Sequence, residues 1–510
     1  MTSSPSPPTP FLNDAQRAAA RKVILFTAFL DILGFSIIIP QLPVYATQFG
    51  ATPQMTGVLA SVYSLMGFLF TPFWGRLSDR VGRRPVLIYS IFGTALSFIL
   101  FAFASSLPWL FAARILDGIT GANISTAQAY LSDITEPAER AKNFGFFGAI
   151  FGIAFAIGPL IGSALTHLPG AWGGNLGLGV FSATLSFLNW ALAVRFLRET
   201  LSPEMRAQNE ALNAQNKRGL INFSGFSRAL AMPKLNRVIV IGFLATAAFA
   251  TIQGTYALFI LKDYTRPLVQ REIRDNPSAA IARARKLREA EQETRSTLSL
   301  GEGASGPDIS ADATAPYPAS MGGDFGLKST PAPAGYSWRH IEKLIVRPET
   351  ARQVGTIFGI IGLLSLVVQG GLIRPLQKRV SEVSLVLAGT LIMAIGLVST
   401  AAMQELLPGV MWGQYLAACI LTLGNGLATP VLTSLVSQLA PDNERGEILG
   451  VFQSVQSLGR IVGPNLGGFL FGAVASGAPF VAGGAIMMVS FFLAFRLRGV
   501  VAPGKAEARG

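Results

Sequence analysis

GRLSDRVGRR, residues 75–84, separates two long apolar stretches and is the most informative segment of the chain. Its glycines, Gly75 and Gly82, permit a tight turn between helices. Asp79 and Arg83 are spaced to pair if the segment is helical, and an anionic Asp79 also suits a helix N-terminus elsewhere in the protein. Two interpretations stay open at this point: a charged gate, or a basic loop that only sets topology.

The stretches on either side are apolar over about 20 residues, the length that a membrane-spanning helix needs. About twelve such segments follow from the hydropathy of the chain. They lie near residues 22–47, 55–75, 85–104, 107–131, 143–166, 176–197, 236–261, 353–373, 383–402, 410–437, 446–472 and 478–497. With 50% hydrophobic and 14% charged residues, the composition suits a lipid-facing surface. We therefore predict an all-α membrane protein.

Lys and Arg are distributed unevenly among the connections. The connections at 48–54, 105–106, 167–175, 403–409 and 473–477 contain neither residue. The alternate connections are basic, which predicts that they and both termini are cytoplasmic. The net charge of +13 is thus explained by topology. The basic residues form no stripe interleaved with aromatics, so nucleic acid is disfavoured as a partner.

The two halves of the chain share a repeated sequence pattern. Gly158, Pro159 and Gly162 have the same spacing as Gly463, Pro464 and Gly467, and both sets follow a basic connection, so the repeats run parallel. We predict two six-helix bundles with the solute site between them, near the midplane. The predicted division is a disordered cytoplasmic tail at 1–20, a bundle at 21–198, a cytoplasmic connection at 199–235, a bundle at 236–498 and a cytoplasmic tail at 499–510.

An insertion at 264–346 falls on the extracytoplasmic side of this topology. Its first part has the composition of a charged helix, and the rest is Gly-, Ala- and Pro-rich, which is typical of disorder. A linker is one interpretation of the insertion, and a regulatory or partner-binding cap is the other.

On these features the chain resembles the major facilitator superfamily. Segment 75–84 matches the signature G-x-L-x-D-R-x-G-R-R, and Arg114 with Gly118 and Gly121 matches a second motif in the fourth helix. GIAFAIGPLIGS in the fifth helix and LDILGFSIIIPQLP in the first resemble the drug:proton antiporter branch, and within it the tetracycline-efflux-like group.

The resemblance implies a proton-driven exchanger that works by alternating access. It implies that Asp79, Arg83 and Asp133 form a charge network that controls opening. The full set of gate residues is Gly75, Asp79, Arg80, Gly82, Arg83, Arg84 and Asp133. The glycines and proline of the fifth helix are expected to shape a bend that fits it against the opposite half, and Gly463, Pro464 and Gly467 are expected to do likewise in the eleventh.

Four ionisable residues, Asp31, Arg114, Asp117 and Arg460, lie deep within predicted spans, where a charge costs at least ~2.5 kcal/mol on insertion scales. We predict that Asp31 or Asp117 takes up the proton, while Arg114 favours the carboxylate form. The alternative is a static Arg114–Asp117 pair that holds the fourth helix. Candidate cavity residues are Arg460, Gln453, Gln456, Gln253 and Asn123. For Arg460, the interpretations are binding of an anionic solute group, balance of Asp31, or a structural bond to backbone carbonyls.

The chain departs from the tetracycline pumps in ways that argue against tetracycline as its substrate. Ser97 stands where they carry an acidic residue, and the stretches 354–373 and 385–402 contain no His, Asp or Glu. The leading prediction is a proton-coupled exporter of an amphipathic drug-like or metabolite solute. An uptake symporter on the same fold and a non-transporting receptor or scaffold are the alternatives.

We expect no enzyme activity, because the sequence has no nucleophile–base set and no phosphate-binding loop. We expect no metal and no cofactor; the driving force is the proton gradient. The expected partners are the lipid bilayer, a small-molecule solute and protons, and the expected location is a bacterial inner membrane, as a monomer.

Overall fold

A computed structural model describes residues 13–121, 124–136, 140–166, 168, 170–201, 223–297, 338–441 and 445–497. The predicted tails lie largely outside these ranges, as do the middle of the 199–235 connection and the second part of the insertion. The helices of the first half are α1 Asp14–Ile38, α2 Leu42–Gln48, α3 Pro53–Val81, α4 Arg83–Ala102, α5 Leu107–Thr120, α6 Ile124–Asp133, α7 Arg140–Leu165 and α8 Asn175–Phe196.

The second half begins with a short helix and includes two helices of the insertion. Its helices are α9 Phe223–Ala231, α10 Pro233–Phe259, α11 Arg266–Asp275, α12 Pro277–Thr297, α13 Trp338–Val367, α14 Ile373–Arg379, α15 Glu382–Leu406, α16 Met411–Leu439, α17 Arg445–Ala473 and α18 Ala478–Phe495. Helices thus occupy all of the positions predicted for the spans.

Length and composition identify the spans in the described residues. Eight helices are long and apolar enough to cross a membrane, and α1 with α2, bent by 44°, makes a ninth if the pair is one span. The other predicted spans are helical but do not pass this test: α5 and α6 are short, the described stretch Gly152–Leu165 of α7 is apolar but shorter than 18 residues, and α17 carries several polar side chains. Exposed apolar residues such as Leu363 and Phe492 suit contact with lipid.

The parallel repeat predicted from the glycine spacing is present in the packing. In the first half α1 packs on α7, α4 on α8 and α3 on α5; in the second half α10 packs on α17, α15 on α18 and α13 on α16. The equivalent helix of each half makes the equivalent contact. The two halves then meet through α3 with α17 and α7 with α13, which the same repeat relates.

Each half has its own apolar core. Phe98, Phe101 and Tyr45 are fully buried in the first half, and Phe259 and Phe480 in the second. Burial of such aromatic side chains is worth several kcal/mol in water, but in a bilayer helix association depends on close packing of small residues. Glycines at the helix contacts supply that closeness here.

Candidate functional site

The turn at residue 82 is tighter than the glycine spacing predicted. Helix α3 continues to Val81, so Gly75 lies within the helix and Gly82, with φ 112°, makes the turn alone. The expectation that Gly75 opens the turn is therefore wrong. Because helix geometry continues through Asp79, its carboxylate lies one turn before Arg83 and pairs with it.

The Arg83 network, defined as Asp79, Arg83, Asp133, Glu199 and Thr200, joins four segments of the first half. Arg83 is buried and donates from Nε to Asp133 Oδ2 at 3.2 Å. Thr200 Oγ1 donates to the same oxygen at 3.1 Å. Burial raises the pKa of the Asp133 carboxyl above its ordinary value, which the neighbouring Arg83 opposes. Arg80, in the last turn of α3, is exposed.

Glu199 completes this network and was not foreseen from the sequence. Its carboxylate accepts from the backbone N–H groups of Arg83 at 3.0 Å and Arg84 at 3.2 Å. These are the first residues of α4, whose preceding residue Gly82 has no side chain with which to cap the helix. An anion at a helix N-terminus satisfies free N–H groups and the helix dipole. Arg84 Nε in turn donates to Leu197 O at 2.8 Å.

The second group of charges lies in the middle of the first half. Arg114 Nη1 and Asp117 Oδ2 are 2.8 Å apart on α5, and both side chains are almost fully buried, with 4% and 3% exposed. The guanidinium carbon of Arg114 lies 5.2 Å from the ring centroids of both Phe35 and Tyr63, close enough for cation–π attraction. Arg114 is thus held both by its salt bridge to Asp117 and by the rings of Phe35 and Tyr63.

Tyr63 connects these charges to the other half. It lies on α3, which packs against α17 of the second half, and the charges of Asp31, Asp117, Arg114 and, on α17, Arg460 act on its phenol. We call these five residues the central cluster. Phe35, which lies 4.2 Å from Tyr63 between ring centroids, was not singled out from the sequence. Nothing in a single apolar helix distinguishes such a ring from a lipid-facing one.

Two narrow cavities adjoin the cluster. Asp31 lines one of them, together with residues of α4, α6 and α7 such as Leu87, Ala127 and Phe147. Arg114 and Asp117 line the other, with Ser97 and Phe98. Ser97 therefore lies beside the buried carboxylate of Asp117.

The remaining candidate residues spread along the seam. Arg460 donates from Nη2 to Ser457 Oγ at 2.9 Å. Gln453 is exposed, and Gln456 and Gln253 are half-buried. Asn123 lies outside the described residues.

The glycines of the fifth and eleventh helices contact helices of their own half. A Cβ at Gly158 would meet Ser36, and one at Gly162 would lie 2.7 Å from Ile37 O, both on α1. Likewise Gly463 and Gly467 face α10. These contacts place the glycines themselves on the side of α7 and α17 that faces their own half, and the bend predicted from the Gly-Pro pattern stays a prediction. Their absent side chains let each helix pack closely within its bundle.

Other residues form the contact between halves. Pro464 O lies against Gly57 of α3, and a Cβ at Gly468 would meet Pro53. Asn465 Nδ2 donates to Ser61 Oγ at 2.8 Å. These residues lie at the end of α3 opposite the Arg83 network. On the other seam Gly355 faces Ser163, and Gly362 faces Ala156 of α7.

Two helical bundles that bury ionisable residues at their seam define a membrane transporter. The family model described as Major Facilitator Superfamily matches residues 24–268 and 313–510. The chain belongs to the Major Facilitator Superfamily, and it is a transporter rather than an enzyme.

The curated relatives include tetracycline resistance proteins. The class H protein of Pasteurella multocida is 35% identical over 194 residues, which are 37% of this chain and 46% of that protein. The matched region thus spans about half of that relative. The class C protein of Escherichia coli is 26% identical over 477 residues, covering 92% of this chain and 94% of that protein.

Among solved structures, the human organic anion transporter MFSD10 (TETRAN) shares the fold, with a TM-score of 0.55 and 18% identity, covering 96% of this chain and 100% of the other. The resemblance to drug-efflux transporters predicted from the motifs is confirmed by these relatives.

Proposed function

We propose that the protein is a proton-coupled antiporter that exports a drug-like or metabolite small molecule by alternating access, from a bacterial inner membrane with both termini in the cytoplasm. One observation carries the proposal: the buried Arg114–Asp117 salt bridge lies beside Tyr63, which is also in range of Asp31 and, across the seam, of Arg460. A buried ion pair is weak evidence for stability alone, so its place beside Tyr63, on the helix that packs against the second half, favours a role in coupling.

The chemistry of the pair suits proton exchange. Arg114 favours the ionised form of Asp117, while the apolar surroundings favour the neutral acid. A movement of the helices that draws Arg114 away once the solute has left tips the balance toward protonation, and a solute whose binding restores the Arg114–Asp117 pair expels the proton. Proton binding and solute binding then exclude each other, which is the requirement for exchange.

The Arg83 network supplies the conformational part of the proposal. It fixes the end of α3 to α4, α6 and the segment after α8, so that the first half moves as one body at this end. The halves are in contact at the far end of α3, through Gly57 and Ser61. To open the protein at the Gly57 end of α3, these contacts must separate. The two halves must then close at the opposite end, which carries the Arg83 network.

Purified protein in liposomes with a trapped pH-sensitive dye tests the proposal. With a panel of amphipathic solutes, the wild type is expected to move protons opposite to the solute. Asp31→Asn and Asp117→Asn each remove a titratable carboxyl and are expected to lower the proton flux at least about tenfold, as an essential acid–base group does. Asp275→Asn, on an exposed side chain of α11, is the matched control and retains full flux.

Two outcomes contradict the proposal. Proton movement in the same direction as the solute identifies the uptake symporter instead. An absence of solute-dependent proton flux in the wild type across the whole panel removes the antiporter.

A further inference from the structure

Among the described residues, the mid-membrane cation of the second half has no acidic partner. Within the part of the chain that the structure describes, Arg460 forms one polar contact, from Nη2 to Ser457 Oγ at 2.9 Å, and no ion pair with a carboxylate. The ionisable side chain within its electrostatic range is the phenol of Tyr63. Arg114, by contrast, is neutralised by Asp117 at 2.8 Å. The two arginines of the central cluster therefore differ: Arg114 has an anionic partner, and Arg460 has none among the described residues.

A cation removed from water is costly unless an anion meets it. Ionisable residues within membrane spans usually belong to a substrate or ion pathway. The guanidinium group offers paired N–H donors in the geometry that matches a carboxylate. The hydroxyl of Ser457 is neutral, so it does not compensate the charge of Arg460. It accepts one hydrogen bond from the guanidinium group, whose other N–H groups can still bind a carboxylate.

The surroundings of Arg460 also favour a solute that carries an aromatic ring. Tyr63 lies on α3, which packs against α17, and its ring is 5.2 Å from the Arg114 guanidinium carbon and 4.2 Å from the Phe35 ring between centroids. Aromatic faces next to a cation suit a ligand whose own ring stacks while its charged group pairs.

We infer that Arg460 is the binding site for the anionic group of the transported solute, and that the solute is an aromatic or similarly flat apolar molecule bearing a carboxylate. This inference rests on the proposed function only in taking the seam as the solute site. The carboxylate pairs with Arg460 of the second half, and the ring lies against Tyr63 of the first, so that one ligand touches both bundles.

Three probes with one ring system test the inference: 2-naphthoate, the uncharged 2-naphthamide and the cationic 2-naphthylmethylammonium. Binding is measured by equilibrium dialysis against the protein in nanodiscs, with empty nanodiscs subtracted. The wild type is expected to bind naphthoate at least about tenfold more tightly than the other two, since a charge-assisted hydrogen-bonded pair is worth that much or more.

The variants separate charge from folding. Arg460→Gln is expected to lose the preference for naphthoate, while Arg460→Lys keeps part of it, because an ammonium retains the charge but not the paired donors. Ser457→Asp places a carboxylate one helical turn from Arg460 and is expected to weaken naphthoate binding about tenfold with Arg460 still present. Arg285→Gln, an exposed site on α12, is the control and leaves the preference intact.

The outcomes distinguish this inference from the proposed function. A wild type that binds none of the probes, or binds them without a preference for naphthoate, overturns the inference, as does a preference that survives in Arg460→Gln. Proton counterflow with the neutral or cationic probe, combined with no naphthoate preference, removes the anion site and keeps the antiporter. Naphthoate preference without any proton counterflow supports the anion site and removes the antiporter.

Discussion

Gly158 shows what a single missing side chain does in this protein. Its Cα lies against Ser36 of α1, whose hydroxyl donates to Ala154 O at 2.9 Å and Leu33 O at 3.0 Å. The hydroxyl is therefore fixed by α7 on one side and α1 on the other. There is no room for a methyl group, because the backbone of Ser36 lies 3.0 Å from where it would be.

We expect Gly158→Ala to destabilise the protein by about 1–3 kcal/mol, the usual cost of overpacking a helix contact. The control is Gly450→Ala on α17, where no atom lies within 4 Å of the added carbon; alanine there favours the helix by up to ~1 kcal/mol. Thermal unfolding in detergent should show a lower Tm for the first variant and an equal or higher Tm for the second. Equal Tm values for both variants would refute the close contact.

Residue patterns that depend on local spacing were predictable, and long-range partners were not. Asp79 and Arg83 are one helical turn apart, so their pairing follows from sequence spacing. Glu199 caps α4 from 116 residues away, and no periodicity signals that contact. Likewise, the position of Tyr63 and Phe35 beside Arg114 is evident only when α1, α3 and α5 are packed together.

At the scale of elements, the insertion forms more structure than its composition suggested. Its charged part makes two helices, α11 and α12, that pack against the first turns of α13 through Val269, Ile273 and Ile345, all buried. Arg283 bridges Glu272 and Glu349, at 2.8 Å each. Of the stretch predicted to be disordered, from residue 301 to the end of the insertion at 346, residues 301–337 lie outside the described residues. The prediction is wrong for 338–346, which form the start of α13.

This three-helix assembly reaches the first half as well. Helix α12 packs against the short helical turn Gly170–Gly173, between α7 and α8. On α13, Arg347 Nη2 donates to Gln48 O at 3.4 Å, and Gln41 Nε2 donates to Ala351 O at 3.1 Å. The contacts favour the interpretation of the insertion as a cap over that of a linker.

If the cap depends on its small apolar core, one buried charge should undock it. Ile273→Asp places a carboxylate at a site with 2% exposure, which costs several kcal/mol unless the helix moves away. Trypsin cleavage after Arg285, followed by mass spectrometry, is expected to accelerate at least about tenfold, because cleavage needs local opening of α12. Ala282→Asp, on an exposed position of the same helix, should cleave at the wild-type rate. Identical rates for both variants would contradict the packing.

Hydropathy located the elements because lipid demands long apolar helices with every backbone group bonded. It did not locate their irregularities. The break between α1 and α2, and the π-helical turns Ile260–Thr265 and Val368–Leu372, change the register of neighbouring side chains without changing mean hydropathy. Such irregularities arise where helices must fit against their neighbours, so they depend on tertiary contacts.

At the scale of the whole molecule, the two halves close against each other at the end of α3 opposite the Arg83 network. Gly57 and Ser61 of α3 meet Pro464 and Asn465 of α17. Alternating access requires this contact to open in one half of the cycle. A covalent bond across it should therefore hold one state and stop turnover without altering the central cluster.

We test this with Ser61→Cys and Asn465→Cys in a Cys419→Ser background, bridged by a short bis-methanethiosulfonate. The native side chains are 2.8 Å apart, so the thiols lie within reach of the reagent. Solute flux in liposomes is expected to fall at least about twentyfold on bridging and to recover on reduction, since a bond across the contact leaves the second state inaccessible. Solute binding in nanodiscs is expected to persist, because the bridge leaves the cluster intact.

The control pair lies within one half. Thr94→Cys and Thr120→Cys replace hydroxyl oxygens that are 3.3 Å apart on α4 and α5, so the bridge forms between helices that move together. Bridging this pair should leave at least half of the flux, as a bond inside a rigid body does not oppose rocking. If both bridges stop the flux equally, the halves do not move as rigid bodies. If neither does, the contact between α3 and α17 is not a gate.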